Sequence, residues 1–241
     1  KFYFIVEPLT PSVYRLIKEG IVPEGRMKKK NLEIRQAFME AGMDSKEAEQ
    51  VRDIYKGNLF IEVTRGQVHL GEVLEMIMDM FEEVMNKGPL AREPCNHVKV
   101  ILTDMSLHED AIHRGPAQVY PAVREGIRGA MLQAGPIMLE PMQVMLIEAP
   151  VDYMGSLTKL VNSIRGQLLD VVQEGNQVNL KGKLPVMNML GWSSDLRSAT
   201  EGRGVSSLVD QSFERLPSEI QGKVINDIKS RKGLTDAQVG V

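Results

Sequence analysis

Gln167-Leu168-Leu169-Asp170-Val171-Val172-Gln173-Glu174-Gly175-Asn176-Gln177-Val178-Asn179-Leu180-Lys181-Gly182-Lys183-Leu184-Pro185-Val186 is the stretch whose reading decides the fold. Residues 167–173 and 178–186 read as two strands, and Gly175-Asn176 between them supplies the turn. Upstream, residues 151–165 carry Leu157, Leu160, Val161 and Ile164 on one stripe and predict a helix, preceded by a strand at 143–148. Downstream, residues 188–201 predict a helix and 205–213 a strand, with Trp192 and Phe213 expected in the core. The order β-α-β-β-α-β is the ferredoxin-like, split βαβ arrangement. A last helix is expected over 217–231.

The N-terminal half has a different rhythm. Residues 2–6 read as a strand stopped by Pro8, and Thr10-Pro11-Ser12 opens a short helix that Gly20 ends. Residues 28–43 alternate charged and apolar positions at helical spacing, and Asp44 with Glu47 forms a capping box for a second helix. A strand follows at 59–64. Residues 68–85 form the clearest helix, with Leu70, Val73, Leu74, Ile77, Met78, Phe81, Val84 and Met85 on one stripe and Gly88-Pro89 after it. Another strand is expected at 98–107. A helix over 118–133 follows, with Val123, Ile127, Ala130 and Met131 facing inward. A proline-rich seam near 136–141 separates two α+β domains, 1–138 and 139–241.

Composition narrows the class. The 241 residues are 43% hydrophobic with a net charge of -3, so the whole molecule is not a basic nucleic-acid binder. The charge is unevenly placed: between His113 and Arg128 three arginines (Arg114, Arg124, Arg128) face one acid, Glu125. A second basic run carries Arg215, Lys223, Lys229, Arg231 and Lys232. Such patches attract phosphate, or are ordinary solvated helix faces. The single cysteine, Cys95, excludes an internal disulfide and suits a reducing, cytoplasmic setting. The apolar runs are too short for a membrane partner. The start at Lys1, inside a strand-like run, suggests a piece of a longer protein.

Between the strand at 98–107 and the following helix lies Leu107-His108-Glu109-Asp110-Ala111-Ile112-His113-Arg114-Gly115-Pro116-Ala117-Gln118. A strand-to-helix loop with polar groups at its tip is a natural functional position. His108 and His113 are five apart, so on a helix they would diverge by about 140° and on a strand they would face opposite sides. No metal site is therefore expected. There is no G-x-x-x-x-G-K-[ST] loop for nucleotide phosphates. No cofactor and no catalytic residue is expected in this chain. The central strands at 167–173 and 178–186 hold no aromatics, which speaks against RNA stacking on that sheet. Three readings stay open: a ribosome-engaging factor, an enzyme using His108, Glu109 and His113, and a stand-alone RNA-binding module.

The run from Leu107 to Gly115 resembles the tip of domain IV in archaeal and eukaryotic elongation factor 2, the ribosomal translocase family. Gly88-Pro89-Leu90 with Glu93-Pro94, Leu139-Glu140-Pro141, Leu196-Arg197-Ser198-Ala199-Thr200 and Lys229-Ser230-Arg231-Lys232-Gly233-Leu234 agree with it in order. The resemblance implies a ribosomal protein S5 domain 2-like domain followed by a ferredoxin-like domain V with a C-terminal helix. It implies that His113 is converted to diphthamide by dedicated enzymes and is the target of ADP-ribosylating toxins. It also implies contacts of His108, Arg114, Gly115, Gln118 and Arg124 with RNA of the ribosomal decoding site, tRNA and mRNA. Arg114 would supply a fork for phosphate, and Gly115-Pro116 a tight turn. The family's GTPase domain, with its GTP and Mg, precedes this segment, so GTP hydrolysis is not expected of this chain alone. Pro116-Ala117 follows the archaeal pattern, and residues 235–241 depart from the family's endings.

Overall fold

Two sheets organise the chain in the computed structural model, which describes residues 1–27, 31–66 and 68–235. They belong to two units: residues 1–136 together with the segment from Lys223, and residues 137–222. The sequence places the seam two residues later and the whole last helix with the second domain.

The first unit contains β1 (Phe2–Pro8), α1 (Pro11–Lys18), β2 (Gly25–Arg26), α2 (Leu32–Glu40), α3 (Ser45–Glu49), β3 (Val51–Tyr55), β4 (Asn58–Glu62), α4 (Leu70–Asn86), β5 (Val98–Met105) and α5 (Pro116–Gln133). Its sheet runs β1-β5-β4-β3-β2, with β4 and β5 parallel and the other pairs antiparallel. Successive side chains on a strand point to opposite faces. Phe60, Val100 and Leu102 therefore pack under α4 and α5, with Ile77, Phe81, Val123 and Ile127. Ile54, Leu59, Ile61 and Ile101 face the other way, onto Val13, Ile17 and Phe38. A sheet covered on both faces explains why β4 is buried at every position.

The helices start where their side chains satisfy the free N–H groups. Asn31 caps α2 by accepting from Glu33 N and Ile34 N, and Asp44 caps α3 by accepting from Lys46 N and Glu47 N. The helical pattern predicted from residue 28 begins, in the described part, at Leu32; residues 28–30 lie outside the described residues. β3 is not legible in the sequence. It pairs with β4 through a two-residue Lys56-Gly57 turn at φ 47° and 76°, the left-handed pair such a hairpin requires.

The second unit contains β6 (Leu139–Pro150), α6 (Met154–Ser163), β7 (Gln167–Glu174), β8 (Gln177–Pro185), α7 (Trp192–Ala199) and β9 (Val205–Arg215). The order β7-β8-β6-β9, antiparallel throughout, is the ferredoxin-like topology. Val178, Leu180 and Leu184 of β8 and Ile147 of β6 pack against Leu157 and Val161 of α6 and Leu196 of α7. Trp192 is buried, and its indole N–H donates to Ser206 Oγ. Phe213 is 60% exposed, contrary to expectation: it lies near the end of the edge strand β9, opposite Pro141. The last helix, α8 (Ser218–Lys232), ends with the Lys232 ammonium on the carbonyls of Ala91 and Arg92 and the carboxylate of Glu93. No helix among the described residues is long and apolar enough to cross a membrane.

Candidate functional site

The loop leaves β5 under control. Ser106 N donates to Lys1 O, and Leu107 is half-buried against the first unit's core. From His108 to His113 the residues are exposed. Asp110 accepts from Ile112 N through its side chain and from His113 N through its carbonyl, forming a 3-10 turn over Ala111–Arg114. His108 Nδ1 accepts from Asp110 N at 3.1 Å, which leaves the ring proton of a neutral imidazole on Nε2. α5 begins at Pro116, two residues earlier than predicted, because proline's missing N–H costs nothing in a first turn.

His113 is exposed, as are His108, Gln118 and, at 77%, Ile112. The two imidazoles do not diverge. Their centroids lie 4.6 Å apart at 71°, edge to face, because this loop is neither helix nor strand and folds back on itself. No group of three or more His, Cys, Asp or Glu side chains among the described residues is placed to hold a metal ion.

Arg114 is not the phosphate fork suggested by its position beside His113. Its side chain is 8% exposed, with Nε on Glu72 Oε2 at 2.9 Å and Nη1 on the carbonyls of His108, at 2.8 Å, and Glu109. It ties the loop together from within. Arg124 is likewise engaged, by two 2.9 Å bonds to Glu83 that draw the carboxyl below its usual range and hold the guanidinium above its own. Arg128 pairs with Glu125 at 3.5 Å. The apparent basic patch from 113 to 128 is thus paired, Arg114 and Arg124 by acids of α4 that lie some forty residues away in sequence. Gly115 has φ −80° and ψ 172°, extended backbone open to any residue, and a Cβ there would meet nothing closer than 3.7 Å. Its glycine is not demanded by the turn.

Sequence patterning gave no sign of the frame behind the loop. Glu72 bonds Arg114, Asp79 accepts from Tyr120 OH at 3.2 Å, and Glu83 holds Arg124. These rungs climb both chains together, so α4 and α5 run parallel and both N-termini lie at the loop's end. The positive ends of two helix dipoles therefore converge beside the histidines. Glu72 meets that field as an anion, its pKa lowered by the bond from His69 Nδ1 and then by Arg114. The arrangement presents imidazole edges, an apolar side chain and carboxylates on a braced projection.

Residues 21–135 match the family model for elongation factor G, domain IV, and residues 137–222 that for the elongation factor G C-terminus. The chain is similar to elongation factor 2 of Nanoarchaeum equitans, 48% identical over 238 residues, covering 97% of this chain and 32% of that protein. It is 49% identical to elongation factor 2 of Methanocaldococcus jannaschii over 235 residues, 97% of this chain and 32% of the relative. For elongation factor 2 of Methanosphaera stadtmanae the identity is 44% over 240 residues, 100% of this chain and 33% of the relative. The chain spans about a third of the length of the curated relatives it matches.

Proposed function

The chain belongs to the elongation factor 2 family, and from that premise we propose that it is the part of a ribosomal translocase whose His113 loop enters the decoding site as tRNA and mRNA move. The observation that carries this is the exposed His108–His113 pair on a loop braced from within by Arg114. A group that follows an anticodon arm without reading its sequence must rely on shape and on contacts indifferent to base identity. A stiff projection with imidazoles at its edge suits that task. The two helix N-termini, rather than Arg114 or Arg124, would supply the favourable field for phosphate.

In this reading GTP and Mg act in the preceding two-thirds of the full-length protein, and the ribosome's RNA is the partner of this portion. His113 is exposed enough to serve as substrate for diphthamide-synthesis enzymes and for ADP-ribosylating toxins. The setting is the cytoplasm. Gln118, in the first turn of α5 and exposed, remains a candidate RNA contact beside His108. His113→Ala in the full-length factor is expected to raise frameshifting during translation while thermal unfolding stays unchanged. Normal reading-frame maintenance with the variant would refute the proposal.

A further inference from the structure

We propose that Glu72, on α4, is the positioning residue that sets where His113 points. Its functional meaning rests on the translocase reading above; its structural content does not. The loop's side chains supply local restraints and one remote one. The Asp110 cap and the His108 bond to Asp110 N span two residues each and define only the turn. Among the side-chain hydrogen bonds of the described residues in that turn, that from Arg114 Nε reaches another element, α4. Its Nη1 gathers the carbonyls of His108 and Glu109, and its Nε is held by Glu72. Remove Glu72 and the turn survives, but its side-chain tie to α4 is lost.

Glu72 is itself prepared for this role. It sits in the first turn of α4, where the helix dipole favours a carboxylate. Its two oxygens have separate partners, Oε1 on His69 Nδ1 at 2.8 Å and Oε2 on Arg114 Nε at 2.9 Å. The side chain is 50% exposed, so replacing it does not hollow the core. Glu75, one residue short of a turn further on, pairs instead with Arg26 and serves as the control.

The test is ¹⁵N relaxation of this chain, reading the amides of Ile112, His113, Arg114 and Gly115. In the parent sequence their order parameters should be about 0.85, and in Glu72→Ala and in Arg114→Gln they should fall below about 0.6. The double variant should be no looser than either single one, because both break the same link. Glu72→Gln keeps an acceptor for Arg114 and should restore part of the order, while Glu75→Ala should leave the loop rigid. A parent loop that is already mobile, an ordered loop in Glu72→Ala, equal loosening by Glu75→Ala, an additive double variant or a Gln variant no better than Ala would each overturn the proposal. In the full-length factor, Glu72→Ala should reproduce part of the frameshifting of His113→Ala. If His113→Ala is silent on ribosomes while loop order still depends on Glu72, the translocase reading fails and the positioning role stands.

Discussion

Replacing Asp53 by Asn should make the first unit less sensitive to alkali. Asp53 on β3 is 1% exposed, and neither carboxyl oxygen receives an N–H or O–H from the protein. It faces the Glu82 carboxylate of α4, whose Oε1 is held by Arg26 Nε and Nη2. The same guanidinium binds Glu75 and Asp79, and Asp79 also accepts from Tyr120 of α5. One cation thus serves three acids, and Asp53 is the fourth acid of the cluster. Burial first, and then the Glu82 charge, push the Asp53 carboxyl up from 3.8 to about 7. Below that value the buried carboxyl keeps its proton and carries no charge.

The sign follows from linkage. The native state keeps a proton that the unfolded chain releases above pH 3.8, so stability is full below that value and is lost as pH rises toward 7. A rise from 3.8 to about 7 corresponds to about 4 kcal/mol at most, at about 1.4 kcal/mol per pH unit. Asn at 53 offers an N–H to Glu82 without a titrating charge. At pH 8 the variant should be more stable than the parent by roughly 2 kcal/mol, and at pH 5 the two should differ little. Urea unfolding at both pH values, followed by amide exchange of β3 and β4, measures this. Trp192, the only tryptophan, lies in the second unit, and its fluorescence gives an internal control that should not move. A parent first unit equally stable at pH 5 and 8, or a variant with the same pH slope, would refute the proton held on Asp53.

Two further substitutions separate structural from permissive positions. Asn58→Ala should destabilise the first unit by about 3 kcal/mol or more in urea unfolding, because the buried amide donates to the carbonyls of Tyr55, Lys56 and Cys95 and accepts from Val98 N. Gly115→Ala should change unfolding free energy by less than about 0.5 kcal/mol and leave the amide spectrum of the loop in place, since its backbone is extended and its Cβ position is open.

The second unit was legible because local chemistry and tertiary structure agree there. Gly175-Asn176 turns β7 into β8, and the apolar spacing of Leu157 and Val161 matches the face that α6 buries. The first unit was read less fully. In β3, Arg52 and Asp53 interrupt the apolar run, and the Lys56-Gly57 turn lacks the Asn-Gly or Asp-Gly signature. The two-residue β2 is too short to show a period. At the loop, the sequence identified which residues stand together but misassigned what the arginines do. A guanidinium five residues from Glu109 looks free when its partner, Glu72, is 42 residues upstream. Phe213 was misplaced for a related reason: an aromatic on an edge strand carries no mark of whether anything covers it.

The most direct measurement is a photo-crosslink from the loop tip on the ribosome. Ile112 is 77% exposed and adjacent to His113, so p-benzoylphenylalanine at position 112 of the full-length factor leaves the histidine in place. Irradiation of ribosomes holding tRNA, mRNA and the factor with a non-hydrolysable GTP analogue should join it to decoding-site RNA or to the anticodon arm, and a probe at Leu32, 75% exposed in the same unit, should not. Crosslinks at Leu32 but none at Ile112, or crosslinks from Ile112 only to RNA outside the decoding site, would contradict the account.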